Sequence, residues 1–350
     1  MNMRISRVLC FCAAAALCIA SIGSVAQAGH MGKFHLRFND DRSFKIVQFT
    51  DTQDDEDTDP RTVQLIEAVL DDQTPDLVVF TGDNVTGGCD TPDDVMVAIN
   101  NIVQPVDERH IPWLVTFGNH DEDHTEKTGL DEAAMLKIYM SYPYNINQWG
   151  PRNVEGTGNM YTLIYGSRGM RPVFNIWALD SGRYAPDEIA GQSLDGYPGW
   201  DWIKHSQIIW YVETSKFLEK RMHAKVPGLM FFHIPLQEFA TMWEMQDRHA
   251  VVGEKNEDVC PGPFNSGFYA AMLERGDVKG VFVGHDHVNN YVGNYYGIYL
   301  GYSANTGFGT YGLSGDERDR LRGARVFELN EDDPENFSTH MVYATDYGIQ

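Results

Sequence analysis

Short apolar runs, rich in β-branched and aromatic residues, alternate along the chain with stretches of helical periodicity, the pattern of parallel crossover units. Phe44–Thr50 (FKIVQFT), Leu77–Thr81, Trp113–Phe117, Leu229–Phe232 and Val281–Val283 are predicted strands. Met160–Tyr165 and Val173–Leu179 are two more, assigned to a second sheet. After the first strand a helix is predicted with Asp59 as N-cap, Pro60 at the first helical position, and Val63, Ile66 and Leu70 on one face. Another is predicted over Asp93 to Asp107. No internal repeat, low-complexity tract or interdomain linker breaks the pattern.

The chemistry stands where the apolar runs stop. KIVQF leads into Thr50-Asp51-Thr52-Gln53, LVVF into Thr81-Gly82-Asp83-Asn84, and WLVTF into Gly118-Asn119-His120-Asp121. LMFF is followed by His233, and VFV by Gly284-His285-Asp286-His287. In open α/β sheets ligands bind in the crevice beyond the carboxyl ends of the strands. Five strand ends thus send carboxylate, amide and imidazole groups to one edge, where core packing asks for none of them. Hard and borderline cations take this donor set.

Composition narrows the partners. With 27 Lys+Arg against 50 Asp+Glu the 350-residue chain carries −23, which argues against a nucleic-acid scaffold and an anionic membrane surface. Hydrophobic residues at 43% supply a large core, so the chain is not disordered. Residues 1–28 read as a secretory signal: Arg4 and Arg7, an apolar stretch from Val8 to Ala20, then Ala26-Gln27-Ala28 as the cleavage site. That stretch is too short for a membrane span, and no later segment is apolar enough for one. Residues 29–350 are expected to form one domain, secreted or periplasmic. Losing two arginines would take the charge from −23 to −25. Cleavage also removes Cys10, Cys12 and Cys18, leaving Cys89 and Cys260 in polar, Gly- and Pro-rich contexts. An oxidising compartment permits a Cys89–Cys260 disulfide; the alternative is two unpaired loop thiols.

Taken one at a time these motifs are ordinary turns and structural histidines. Their order, D-x-[H/Q], GD, GNHD, an isolated His and GHDH, resembles the calcineurin-like metallophosphoesterase superfamily. Further stretches are similar to its branch containing the yeast Dcr2 phosphatase and plant single-domain purple acid phosphatase relatives. They are Asp201-Trp202-Ile203-Lys204 with Gln207 and Trp210, Asn265 to Phe268, Gly276 to Phe282, and Gly307 to Gly312. The likeness spans about residues 44–330.

The resemblance implies a four-layer αββα sandwich of two mixed sheets flanked by helices. It also implies a centre of two divalent or trivalent metal ions (Mn, Zn or Fe). Carried over by motif, Asp51 and His287 hold one metal with Gln53 as third ligand, Asn119, His233 and His285 hold the other, and Asp83 bridges them. His120 assists the leaving group while a hydroxide generated at the metal pair attacks phosphorus. The implied reaction is hydrolysis of a small phosphate ester, monoesters before diesters. The rival reading is a non-catalytic metal- or ligand-binding protein on the same fold.

Two departures bear on that choice. Gln53 stands where the superfamily most often has His, a weaker and neutral donor that Asp54 or Asp55 could compensate. Thr86 stands where purple acid phosphatases carry their tyrosinate ligand, so the protein should be colourless. Six acids in the nine residues from Asp51 to Asp59 are not an EF-hand, since Glu56 replaces the turn glycine and Thr62 the distal glutamate. His120 and His124 have metalloprotease spacing, but Asp121 replaces the catalytic glutamate. The aromatic stretch Tyr197 to Tyr211 reads as a packed helix entry before a substrate pocket, and Arg152 and Arg183 have no assigned place.

Overall fold

Residues 34–350 are described by a computed structural model; the predicted signal segment, with Cys10, Cys12 and Cys18, lies outside them. In chain order the elements are β1 (Ser43–Phe49), α1 (Pro60–Gln73), β2 (Leu77–Thr81), α2 (Pro92–Glu108) and β3 (Trp113–Thr116). There follow α3 (Thr125–Thr128), α4 (Glu132–Tyr139), β4 (Met160–Tyr165), β5 (Pro172–Ala178) and the small pair β6 (Glu188–Ile189) and β7 (Gln192–Ser193). Next come α5 (His205–Met222), β8 (Gly228–Phe231), α6 (Gln237–Glu244), α7 (Phe268–Arg275) and β9 (Val278–Val283). The series ends with β10 (Val292–Tyr295), β11 (Ile298–Tyr302), β12 (Gly323–Asn330) and β13 (Phe337–Tyr343). Every predicted strand is present to within a few residues.

Local chemistry explains the helix starts. The Asp59 side chain accepts the Arg61 N–H at 2.9 Å and Pro60 opens α1, as its sequence predicts. Thr91 and Asp94 form a reciprocal capping box on α2, with Pro92 inside the first turn.

One sheet has the order β13-β12-β1-β2-β3, with β1, β2 and β3 parallel and the other two antiparallel. The larger has the order β10-β11-β9-β8-β5-β4, parallel from β11 through β5 and antiparallel at both edges. The period of two assigns each strand two apolar faces. On β1 and β2, Phe44, Ile46, Leu77 and Val79 join a core with Phe174, Ile176, Leu229, Phe231 and Phe282 of the other sheet. The alternate residues Val47, Phe49, Val78 and Phe80 pack outward with Leu65, Ile66, Ile99 and Ile102 of α1 and α2. Val281 and Val283 likewise face Tyr211, Phe239, Phe268 and Met272 of α5, α6 and α7. The result is the expected four-layer αββα sandwich. Among the described residues no helix is long and apolar enough to cross a membrane.

The Cys89–Cys260 disulfide is not formed; both thiols are free. Cys89 is buried in the outer core between the smaller sheet and its helices. Cys260 lies with the larger sheet's loops, its main-chain N–H donating to Asp286 Oδ2 at 3.2 Å. Polar, Gly-rich surroundings reveal that a cysteine sits in a loop, and nothing about whether two loops approach to bonding distance.

Candidate metal centre

The parallel strands of both sheets deliver their carboxyl ends to one cleft, and Asp51, Asp83, His233, His285 and His287, all singled out by sequence, meet there. Asp83, His233 and His285 place one ligand atom each within 4.8 Å of one another, and so do Asp51, Asp83 and His287. All five are buried, and Asp83 belongs to both groups. His233 Nε2 stands 3.1 Å from Asp83 Oδ2 and 4.0 Å from Asp51 Oδ1, and His287 Nε2 stands 3.3 Å from Asp51 Oδ1.

The backbone is bent to bring them in. Asp51, Asp83 and His285 adopt φ of 49°, 48° and 72°, the left-handed region that costs a non-glycine residue about 1–3 kcal/mol each. Two glycines are required for the close approach. A Cβ at Gly284 would overlap the Thr50 hydroxyl, and one at Gly118 would overlap Asp83 Oδ1. Asp121, the last residue of GNHD, ties two of the loops. Fully buried, it accepts main-chain N–H groups from Asn84 (2.8 Å), Val85 (3.2 Å) and Gly118 (2.7 Å). Burial, and then the charge on Asp83, pushes its carboxyl up to about 7.

The fit to cations rests on unpartnered atoms. His285 Nε2, Gln53 Oε1 and both amide atoms of Asn119 are buried and make no hydrogen bond, while Asp83 Oδ2 and His233 Nε2 meet only each other, at 3.1 Å. Buried polar groups are paired in nearly all native structures, so such a concentration marks a ligand site. Charge agrees. Burial alone would raise Asp51 and Asp83, but His287 beside the first and His233 beside the second bring both below the usual carboxylate range. Burial works to lower His233, yet Asp83 and Asp51 hold it up at about 10. His285 is held well below the ordinary value by burial and the neighbouring His233, leaving Nε2 with a free lone pair. The His233 ring is fixed from behind, its Nδ1 2.9 Å from the Thr81 carbonyl. The acids after Gln53 do not join. Asp54 accepts the N–H groups of Asp55 (3.0 Å) and Asp59 (2.7 Å) and belongs to neither group.

His120 stands at the rim, partly exposed. Its N–H donates to Asp83 Oδ1 at 2.8 Å and its Nδ1 lies 2.6 Å from Asp123 Oδ2. Two residues after β5 complete the rim: Arg183 donates to the Asn119 carbonyl at 3.1 Å, and the Tyr184 hydroxyl reaches Asp123 at 3.1 Å. Trp200 sets its ring edge-on to His285, centroids 4.5 Å apart, and Tyr311 lies flat on His287 at 4.0 Å. Arg183 and Tyr184 also line a cavity of about 450 Å³ with Glu122, Asp180, Asp201 and Lys204. The aromatic stretch read as a helix entry therefore divides: Trp210 packs in the core, whereas Trp200 reaches the centre. Asp123, Tyr184 and Tyr311 receive no role from sequence, Arg183 is named there without a place, and Trp200 is read within a packed helix entry. Only Asp123 carried a usable signal, three residues beyond His120.

Residues 44–289 match the family model described as calcineurin-like phosphoesterase. In Arabidopsis thaliana, "Probable inactive purple acid phosphatase 14" is 34% identical over 322 residues, covering 83% of this chain and 77% of its own. "Probable inactive purple acid phosphatase 29" is 33% identical over 352 residues, covering 92% and 85%. "Phosphatase DCR2" of Saccharomyces cerevisiae is 32% identical over 284 residues, 74% of this chain but 46% of that one. Among solved structures, a dimetal phosphatase from Danio rerio shares the fold with a TM-score of 0.50 at 11% identity, covering 86% of this chain and 99% of that one.

Proposed function

The chain belongs to the calcineurin-like phosphoesterase family, and from that premise we propose that it hydrolyses small phosphate esters, monoesters in preference to diesters. The observation that carries this reading is the pair of buried groups that share Asp83, with Asp83 Oδ2, His233 Nε2 and His285 Nε2 having no partner outside the cluster. Asp51, Gln53 and His287 would hold one cation and Asn119, His233 and His285 the other, with Asp83 between; Mn, Zn and Fe all suit the set. When bound, such a pair supplies Lewis-acid stabilisation of phosphoryl charge and an activated water. The chain's own part is to hold the donors in place, through the Asp121 and Thr81 contacts, and to present His120 at the rim to protonate the leaving oxygen. Residues 1–28 supply export, so the mature protein acts outside the cytoplasm.

A second reading is a non-catalytic metal- or ligand-binding protein. It draws support from Gln53 and from the word "inactive" in the names of both Arabidopsis relatives. One experiment separates the two. Metal-stripped mature protein is assayed on aryl phosphomonoesters and phosphodiesters before and after addition of Mn²⁺, Zn²⁺ or Fe²⁺. Metal-restored turnover that His120→Ala abolishes supports the enzyme. Two metals bound with no turnover on either substrate supports the binding protein.

A further inference from the structure

His120 is held by more than its chain neighbours. Asp123 Oδ2 is 2.6 Å from its Nδ1, and Asp123 is itself gripped from a different part of the fold. Arg183 donates to Asp123 Oδ1 at 2.8 Å and to Glu122 Oε2 at 3.0 Å, while the Tyr184 hydroxyl reaches both Asp123 oxygens at 3.1 Å. Arg183 Nε also donates to the Asn119 carbonyl, so one guanidinium braces the carboxylate behind His120 and the main chain of a proposed ligand. Side chains of Asp123 and Arg183 remain 28% and 27% exposed, and ion pairs so exposed contribute little to folding. A staple for stability would be buried. This one surrounds a single imidazole nitrogen.

We propose that Asp123 is a positioning residue for His120, fixed in that role by Arg183 and Tyr184. The carboxylate accepts Nδ1–H and thereby sets the ring so that Nε2 faces the reacting atoms, the logic by which a buried acid orients a catalytic histidine elsewhere. In the step it serves, a water oxygen bonds to phosphorus, the ester P–O bond breaks, and the leaving oxygen takes the Nε2 proton of the doubly protonated ring and departs as alcohol, while the proton shed by the water returns to Nε2. Nδ1 keeps its own proton, donated to the carboxylate, throughout. The chemistry rests on the phosphoesterase reading; the ring orientation does not.

The test uses Asp123→Asn in the full mature protein loaded with Mn²⁺. An alkyl phosphate needs its leaving oxygen protonated and 2,4-dinitrophenyl phosphate does not. Asp123→Asn is therefore expected to lower kcat about 100-fold on the alkyl ester, within the usual range for general acid catalysis, and less than about tenfold on the aryl ester. KM and the metal content stay unchanged. Combined with His120→Ala it adds no further loss, because the two act as a unit. Equal losses on both esters, additivity, or lost metal would overturn the proposal. A readout independent of turnover guards against failure of the phosphoesterase reading. Ring nitrogen shifts of His120, read from its carbon-bound protons by NMR, should show a protonated Nδ1 in the parent protein and its redistribution to Nε2 in Asp123→Ala. An unprotonated Nδ1 in the parent protein would overturn the proposal whether or not the protein is an enzyme.

Discussion

The two halves of the centre share Asp83 and little else. Asp83, His233 and His285 form a group with two imidazoles, to which the proposal adds Asn119, and His233 is backed by a main-chain carbonyl. Asp51, Asp83 and His287 form a group with two carboxylates and one imidazole, to which the proposal adds the neutral amide of Gln53, and it is backed on the His287 side by an exposed tyrosine. Nitrogen-rich donors suit zinc and iron, and oxygen-rich donors suit manganese and other harder ions. The comparison predicts that the first position fills tightly and that occupancy of the second is conditional. Catalysis would then follow occupancy of the conditional position.

Asp83→Asn should break the comparison outright, since it removes the only ligand common to both groups. Metal-stripped protein titrated with Mn²⁺ or Zn²⁺ by calorimetry should lose both binding events. Loss of metal charge stabilisation worth several kcal/mol, about 4 for instance, corresponds to roughly a thousandfold in turnover. Retention of either metal at parental affinity would show that Asp83 is not shared.

Protons should separate the halves next. In the metal-free protein His233 is held up at about 10 by Asp83 and Asp51, against an ordinary value of 6.5. Its raised value stabilises the metal-free fold fully below pH 6.5, and that contribution is lost as pH rises through about 10. A metal ligated by His233 must displace this proton, so its apparent affinity should rise about tenfold per pH unit between 7 and 10. Titrations in buffers of different ionisation enthalpy would count the proton released. A flat pH profile would mean that His233 is not a ligand.

Gln53→His should then sharpen the contrast from the other side. An imidazole in place of the amide is expected to raise affinity at the Asp51–His287 position by about tenfold, the lower end of what ligand surroundings change. The Asp83–His233–His285 position should not respond. If turnover is abolished while affinity rises, the amide has a role in the reaction rather than in holding the cation.

The candidate metal-binding side chains were legible because each lies one to four residues beyond the end of an apolar run, where strand geometry leaves little choice of direction. The fold followed for the same reason: β1, β2 and β9 announce two apolar faces, and two-faced strands demand layers on both sides. The supports stayed hidden. Arg183, Tyr184 and Trp200 sit in the long connection from β5 to α5, which has no periodicity to read, and their partners are at least 60 residues away. From sequence Asp121 is the last residue of GNHD and an obstacle to a protease helix, with no role of its own, yet it ties the loops bearing Asp83 and Asn119. The disulfide failed as an inference because composition fixes a loop's exposure and not its distance to another loop.

The smallest effect is the most diagnostic of how the conditional position is supported. The His287 ring lies on Tyr311 with planes 7° apart, and its Nδ1 makes only long contacts, 3.3 Å to the Thr310 hydroxyl and 3.4 Å to the Tyr311 carbonyl. Tyr311 is steadied by Glu257, which accepts its hydroxyl at 2.8 Å and also accepts the Val288 N–H at 2.8 Å. Stacked rings contribute about 0.5–1.5 kcal/mol beyond their buried area, so Tyr311→Ala should weaken the His287 position by about two- to tenfold. Tyr311→Phe keeps the ring and should lose less. Because His233 is anchored to main chain at 2.9 Å, its position should be indifferent to both changes. A metal titration in which Tyr311→Ala weakens both binding events equally would mean that the two halves share one support, and their asymmetry would then lie in ligand identity alone.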